Sequence, residues 1–180
     1  MKRRQFLALS TLAGVLTKVN AKTKKSATGL VLDERFIEHH ISPAHPESPA
    51  RYQAITENLL AQNLLSQLTL LEPKNDCEQY LTLVHSKNHI DSIKQNDAIN
   101  HQHALLATGA VLTAVDHVCK GKCKNVFCAS RPPGHHALNT GQEEGFCYYN
   151  HAAIAARYAQ QQYDMKKILI VDWDYHHGNG

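Results

Sequence analysis

The chain has 180 residues, of which 43% are hydrophobic and 19% charged, with a formal net charge of +3. A domain of about 150 residues buries roughly 68–70% of its unfolded surface, so this length supports one real core without staples. The composition excludes a disordered chain, and the small charge, mostly local in origin, excludes a protein held on nucleic acid by a basic surface.

The basicity belongs largely to residues 1–21. Lys2-Arg3-Arg4 precedes an apolar run from Phe6 to Leu16, and Val19-Asn20-Ala21 supplies the small residues a signal peptidase cleaves after. The run is shorter than the roughly 20 apolar residues of a membrane span, so a cleaved leader is expected and no stable anchor. Arg3-Arg4-Gln5-Phe6-Leu7 resembles the twin-arginine export signal, which predicts delivery to a bacterial periplasm. An ordinary secretion signal or a cytoplasmic protein with a basic first helix is the alternative. Losing Lys2, Arg3, Arg4 and Lys18, and no acid, takes the formal charge from +3 to −1.

Residues 22–180 then form the mature domain. Leu30 to Leu32 reads as a short buried strand, followed by a loop from His39 to Pro49 rich in proline. Ser48-Pro49 predicts an N-cap with proline at the first helical position, opening a helix to about Leu64 with Tyr52, Ile55, Leu59 and Leu60 inward. Leu68 to Leu71 is a second strand ended by Pro73. A helix from about Ala104 to Cys119, closing near Gly121, is apolar around most of its circumference and is expected between layers. Val126 to Ala129 is a strand broken by Arg131-Pro132-Pro133-Gly134. Asn150 caps a helix through about Gln161, and Ile168 to Val171 gives the strongest strand signal of the chain. Helices alternating with continuously apolar strands define an α/β fold with a parallel sheet, and ligands of such sheets bind beyond the carboxyl ends of strands.

Two polar clusters fall at such ends. In Asp172-Trp173-Asp174-Tyr175-His176, alternation places residues 172, 174 and 176 on one face, with Trp173 and Tyr175 packing elsewhere. One carboxylate and one imidazole suit zinc, and a catalytic site takes three protein ligands plus an open position. A bare D-x-D-x-H is more often an ordinary polar loop. The other cluster, His135-His136, follows two prolines that fix the backbone and hold both imidazoles in place, as proton transfer near neutral pH requires. Cys77, Cys119, Cys123, Cys128 and Cys147 are odd in number; Cys119-x3-Cys123 has no companion pair for a structural zinc site, and Cys147 reads as a buried thiol. His39, His40, His101, His103 and His117 belong to no motif and are expected at the surface or in loops.

Taken together, the motifs resemble the zinc-dependent histone deacetylase superfamily, which includes acetylpolyamine amidohydrolases and acetoin-utilisation proteins. The resemblance runs from Leu32-Asp33-Glu34-Arg35-Phe36 through His45-Pro46-Glu47-Ser48-Pro49-Ala50-Arg51, Val84-His85-Ser86 and Gly109-Ala110. It continues in Arg131 to Ala137, Gly145 to Asn150 and Asp172 to Gly180. It implies a three-layer α/β/α sandwich with a mainly parallel sheet, of which this chain is the N-terminal part. It further implies that Asp174 and His176 are two of three zinc ligands, and that His135 and His136 are the tandem histidines of acid–base catalysis. Asp172 would orient the first histidine and Asn179 face the second. Gly145 would offer a carbonyl to the substrate amide, and Phe146 one wall of the acyl channel. Backbone oxygens around Asp172, Asp174 and His176 would hold a monovalent cation, K+, as a structural ion.

The expected activity is hydrolysis of the amide of acetylated lysine, a polyamine or a similar small acylated amine. The family's third ligand and its oxyanion-stabilising residue lie downstream of His-His-Gly-Asn-Gly, so residues 1–180 alone are expected to bind zinc weakly and to turn over little. Two other readings compete: a catalytically incomplete paralogue serving as a binding module, and an arginase-like dimanganese hydrolase. The latter class centres on D-x-H-x-D, which Asp-x-Asp-x-His-His does not match.

Overall fold

The computed structural model describes residues 28–180; the leader expected over residues 1–21 lies outside them. Three strands, β1 (Thr28–Val31), β2 (Thr69–Leu71) and β3 (Asn125–Cys128), form an all-parallel sheet in the order β2-β1-β3. Leu30 lies in register with Leu70 on one side and Phe127 on the other. The α/β class and the parallel sheet are therefore as the apolar runs predict, each strand within two residues of its expected place.

Among the described residues four α-helices accompany the sheet: α1 (Pro49–Ala61), α2 (Lys87–Asn96), α3 (Ala98–Cys119) and α4 (His151–Tyr163). Helix α3 packs on β1 and β3, with the Cys128 thiol donating to the Ala110 carbonyl. Gly109 permits this closeness elsewhere on α3: a Cβ there would stand 2.1 Å from the Lys74 carbonyl oxygen, which leaves no room for a side chain. On the opposite sheet face Leu30 is buried while Leu70 and Phe127 are half exposed, and Tyr52 and Ile55 of α1 line a cavity with Phe127. Two apolar clusters result, one around Val31, Phe36, Tyr52 and Ala110, the other around Leu81, Leu112, Tyr149 and Ile154.

Several expectations need correction. Ile168 to Val171 joins no strand among the described residues, and Leu169 and Val171 are exposed. A strand exists only through a partner backbone, and none is at hand; Ile168, Leu169 and Ile170 instead border an apolar cleft of about 410 Å³ with Val126 and the inner faces of α3 and α4. Ser48 occupies the N-cap position of α1 with Pro49 following, but its hydroxyl makes no capping bond, and Ile55 is exposed. Helix α3 begins six residues before the expected Ala104, where the Asp97 carboxylate accepts from the Asn100 N–H. Helix α2, capped by the Ser86 hydroxyl on the His89 N–H, is not foreseen by the apolar pattern at all.

The histidines explain both omissions. His39 and His101 are completely buried rather than superficial, and with His85, His89 and His151 they form the polar part of the core. The His101 Nδ1 lies 2.7 Å from the Tyr149 hydroxyl, His39 Nδ1 lies 2.8 Å from Asn100 Oδ1, and His151 Nδ1 lies 3.0 Å from the Thr108 hydroxyl. The His85 and His89 rings stack at 4.9 Å. An imidazole on the inward face interrupts the apolar period: α2 buries His89 beside Ile90 and Ile93, and α3 buries His101 ahead of Ala104.

These buried rings are expected to make the fold acid-labile. Burial pushes His85 and His151 down to about 4, His85 further through His89 and His151 further through His85. The Asn150 N–H donates to His85 Nε2 at 2.9 Å, which demands the neutral ring. In the unfolded chain the same groups take up protons near pH 6.5, so between the two values the unfolded state binds more protons. The stability contributed by neutral burial is thus complete above about pH 6.5 and is lost as pH falls toward 4. At pH 5 the expected loss is about 2 kcal/mol per residue. Urea unfolding at pH 7.5 and pH 5 measures it; equal midpoints would contradict the assignment.

Candidate active site

The two clusters predicted at strand ends meet. The His135 Nδ1 lies 2.9 Å from Asp172 Oδ2, the His136 Nδ1 lies 2.6 Å from Asn179 Oδ1, and the Gly180 N–H donates to the His135 carbonyl at 2.9 Å. The two imidazoles are 4.1 Å apart between centroids. Each therefore has Nδ1 engaged by an oxygen acceptor, which places a proton there and leaves Nε2 for chemistry.

Glycines make the close approach possible. A Cβ at Gly178 would stand 2.5 Å from Asp172 Oδ2, and one at Gly145 2.5 Å from the His136 ring. Gly134 lets the histidine turn rest on the Tyr149 carbonyl, which a Cβ would meet at 2.4 Å. The turn is anchored from behind by Arg131, which is nearly completely buried. Its Nε and Nη2 donate to the two Glu47 oxygens at 2.7 and 2.6 Å, and Nη1 and Nη2 donate to the carbonyls of Phe36 and His39. The peptide bond between Arg131 and Pro132 is cis.

On the facing segment Asp174 and His176 converge as alternation predicts. The His176 N–H donates to Asp174 Oδ1 at 2.7 Å, and the His176 Nδ1 lies 3.0 Å from the same oxygen. Asp172 accepts the Asp174 N–H at 3.1 Å, and the His135 Nε2 lies 3.8 Å from Asp174 Oδ1. The His135 ring beside Asp172 holds that carboxyl below its ordinary value, and the His176 backbone and ring do the same for Asp174. Trp173 and Tyr175, expected to pack elsewhere in the protein, are almost fully exposed. Among the described residues no group of three or more His, Cys, Asp or Glu side chains is placed to hold a metal. The carboxylate and imidazole pair suits zinc, but supplies two of three donors.

Gly145 and Phe146 sit beside His136 on a tight turn, both at positive φ (51° and 62°), with Glu144 and Cys147 paired across it by two backbone hydrogen bonds. The Phe146 ring contacts His45 edge-on at 4.5 Å, a neighbour the motifs do not reveal. Cys147 is buried and free, its thiol pushed up to about 11 by burial, which makes it inert rather than nucleophilic. The Glu47–Arg131 pair also escapes sequence reasoning, since nothing local links residues 84 apart.

The histone deacetylase domain matches residues 45–180. The chain belongs to the histone deacetylase family, which sets aside the arginase-like reading. It is 34% identical to the polyamine deacetylase HDAC10 of Danio rerio, over 86% of this chain and 26% of that protein. It is also 34% identical to histone deacetylase 15 of Arabidopsis thaliana, over 86% of this chain and 31% of the relative. The crystal structure of the HDA15 HD domain superposes with a TM-score of 0.77 at 33% identity, covering 86% of this chain and 49% of that domain. The chain thus spans about a quarter to a third of these two deacetylases and half of the solved domain.

Proposed function

We propose that the whole protein is a zinc-dependent amidohydrolase that removes acetyl groups from small acylated amines, acetylated polyamines in particular, or from acetyl-lysine. The observation that carries the reading is the reciprocal pairing of His135 with Asp172 and His136 with Asn179, beside Asp174 and His176. Relatives named for polyamine and histone deacetylation support the substrate class.

Asp174 and His176 would hold the ion, with a further donor from outside the described residues. Zinc supplies Lewis acidity, polarising the acetyl carbonyl and acidifying water. The chain's own part is proton movement. His135 Nε2 takes a proton from water as its oxygen bonds to the carbonyl carbon. His136, entering this step as the imidazolium, gives its Nε2 proton to the amide nitrogen as the C–N bond breaks, leaving acetate and the free amine; the proton that His135 took from water restores it for the next turnover. Asp172 stabilises the imidazolium at His135, and the Asn179 amide oxygen fixes the tautomer of His136. The Gly145 carbonyl would accept the substrate N–H and Phe146 would line the acyl chain.

The test is acetate release from N-acetylputrescine, N-acetylspermidine and an acetyl-lysine peptide by zinc-loaded protein. Turnover should vanish with a chelator and return with zinc. Folded, zinc-loaded protein that hydrolyses none of the three would refute the enzyme reading and leave a binding module in its place.

We also propose export through the twin-arginine route, supported by Lys2-Arg3-Arg4 before the apolar run. Changing Arg3 and Arg4 together to lysine should block delivery. Undiminished delivery of that variant would assign an ordinary secretion signal.

A further inference from the structure

Beside the Phe146 wall lies a second cavity that the proton chemistry does not use. It has a volume of about 150 Å³ and is lined by His40, Ile41, Asn100, Glu143, Phe146 and Tyr148. Two aromatic rings, an amide and one carboxylate are a cage for an ammonium group, which is attracted to ring faces and to negative charge alike.

Glu143 is the lining group with capacity to spare. Its Oε1 accepts the Phe146 N–H, and no hydrogen bond to Oε2 exists among the described residues. Asn100 is already engaged, its oxygen near the rings of His39 and His103 and its nitrogen donating to Asp97. The Tyr148 hydroxyl donates to Asp97, so a second carboxylate stands behind that ring. Charge from Glu143 reaches the surrounding groups: together with burial and Asp97 it raises Tyr148, and together with burial and Asp174 it raises Cys147.

The carboxylate is also held in place. The loop before it is fastened to α2, the Gly141 N–H donating to His89 Nδ1 at 3.0 Å and the Ser92 hydroxyl donating to the Gly141 carbonyl at 2.6 Å. Phe146 occupies the left-handed region, costly for a residue with a side chain, and the Glu143 carboxylate braces that conformation by taking its N–H. A rigid anion next to a fixed ring is preorganised for a cation.

We infer that Glu143 is a specificity-determining residue, selecting linear acylated amines that carry a second, protonated nitrogen, which this cavity receives. The inference rests on the amidohydrolase reading of the same site. It favours an acetylated polyamine over a neutral acetylated alkylamine, and assigns the preference to one side chain.

Glu143→Gln is the decisive variant, because its amide oxygen still accepts the Phe146 N–H while the charge is gone. Two readouts separate the inference from the function it rests on. In calorimetry with spermidine as the probe, the variant should bind about fivefold more weakly, the size expected of a partly exposed ion pair. In hydrolysis, the preference for N-acetylspermidine over N-acetylhexylamine should fall by about the same factor, and through KM rather than kcat. Weakened spermidine binding with no turnover by the parent protein would overturn the amidohydrolase reading and keep the cation site. An unchanged spermidine Kd would overturn the inference, as would a loss that is equal for both substrates or falls on kcat.

Discussion

His136→Ala is expected to lower kcat/KM for an acetylated amine by about 10²–10⁴-fold, the span that a positioned acid–base group contributes. The expectation follows from the ring's setting. Asn179 Oδ1 holds Nδ1 at 2.6 Å, so the nitrogen left open for proton transfer is Nε2, with the His135 ring at a centroid distance of 4.1 Å. A leaving amine that receives no proton departs as a strong base, so the loss should appear in kcat with KM little changed. Asn179→Ala, which frees the ring without removing it, should cost less, about tenfold. Steady-state kinetics on the three proteins, with unfolding curves to verify the fold, decides the matter. His136→Ala retaining more than a tenth of the parent activity would remove this residue from the proton path.

The second large effect concerns stability. Arg131→Ala should destabilise the protein by about 3–5 kcal/mol, since it strands the buried carboxylate of Glu47. Both side chains are nearly inaccessible, and four hydrogen bonds from the guanidinium join Glu47 to the carbonyls of Phe36 and His39. Glu47→Ala should cost a similar amount by leaving the guanidinium unpaired. Replacing both, Arg131→Met with Glu47→Leu, should cost clearly less than the sum of the single losses, because no buried charge is then left alone. Denaturant unfolding of the four proteins measures the coupling. Strict additivity, or a single-variant loss below about 1 kcal/mol, would show the pair to be solvated and of little weight.

Some parts of this architecture are legible from the chain because the cause is local. β1, β2 and β3 appear as short apolar runs; in the central β1 both faces are largely covered and there is no polar side to alternate with, while β2 and β3 keep apolar residues even where Leu70 and Phe127 are half exposed. Helix α4 follows from Asn150, whose side chain accepts the Ala153 N–H. Asp174 and His176 converge because side chains two apart share a side of a near-extended segment. Helix α2 and the first turns of α3 were not legible, because their inward residues include His89 and His101, polar types that the buried hydroxyls and carbonyls of Tyr149 and Tyr148 render acceptable. Ile168 to Val171 has the composition of a strand, but composition supplies no partner backbone.

By itself, then, the sequence determined the α/β class and the family, and it marked out the candidate groups for the chemistry, since each depends on residue type at short spacing. Tertiary structure decided which of those groups touch. His135 meets Asp172 across 37 residues, His136 meets Asn179 across 43, and Arg131 meets Glu47 across 84. It also decided that His39 and His101 lie inside, and that Glu143 faces a cavity beside Phe146. The physical reason is common to all of these. Burial and pairing of polar groups are set by packing between elements distant in the chain, and neither leaves a periodic trace in either partner.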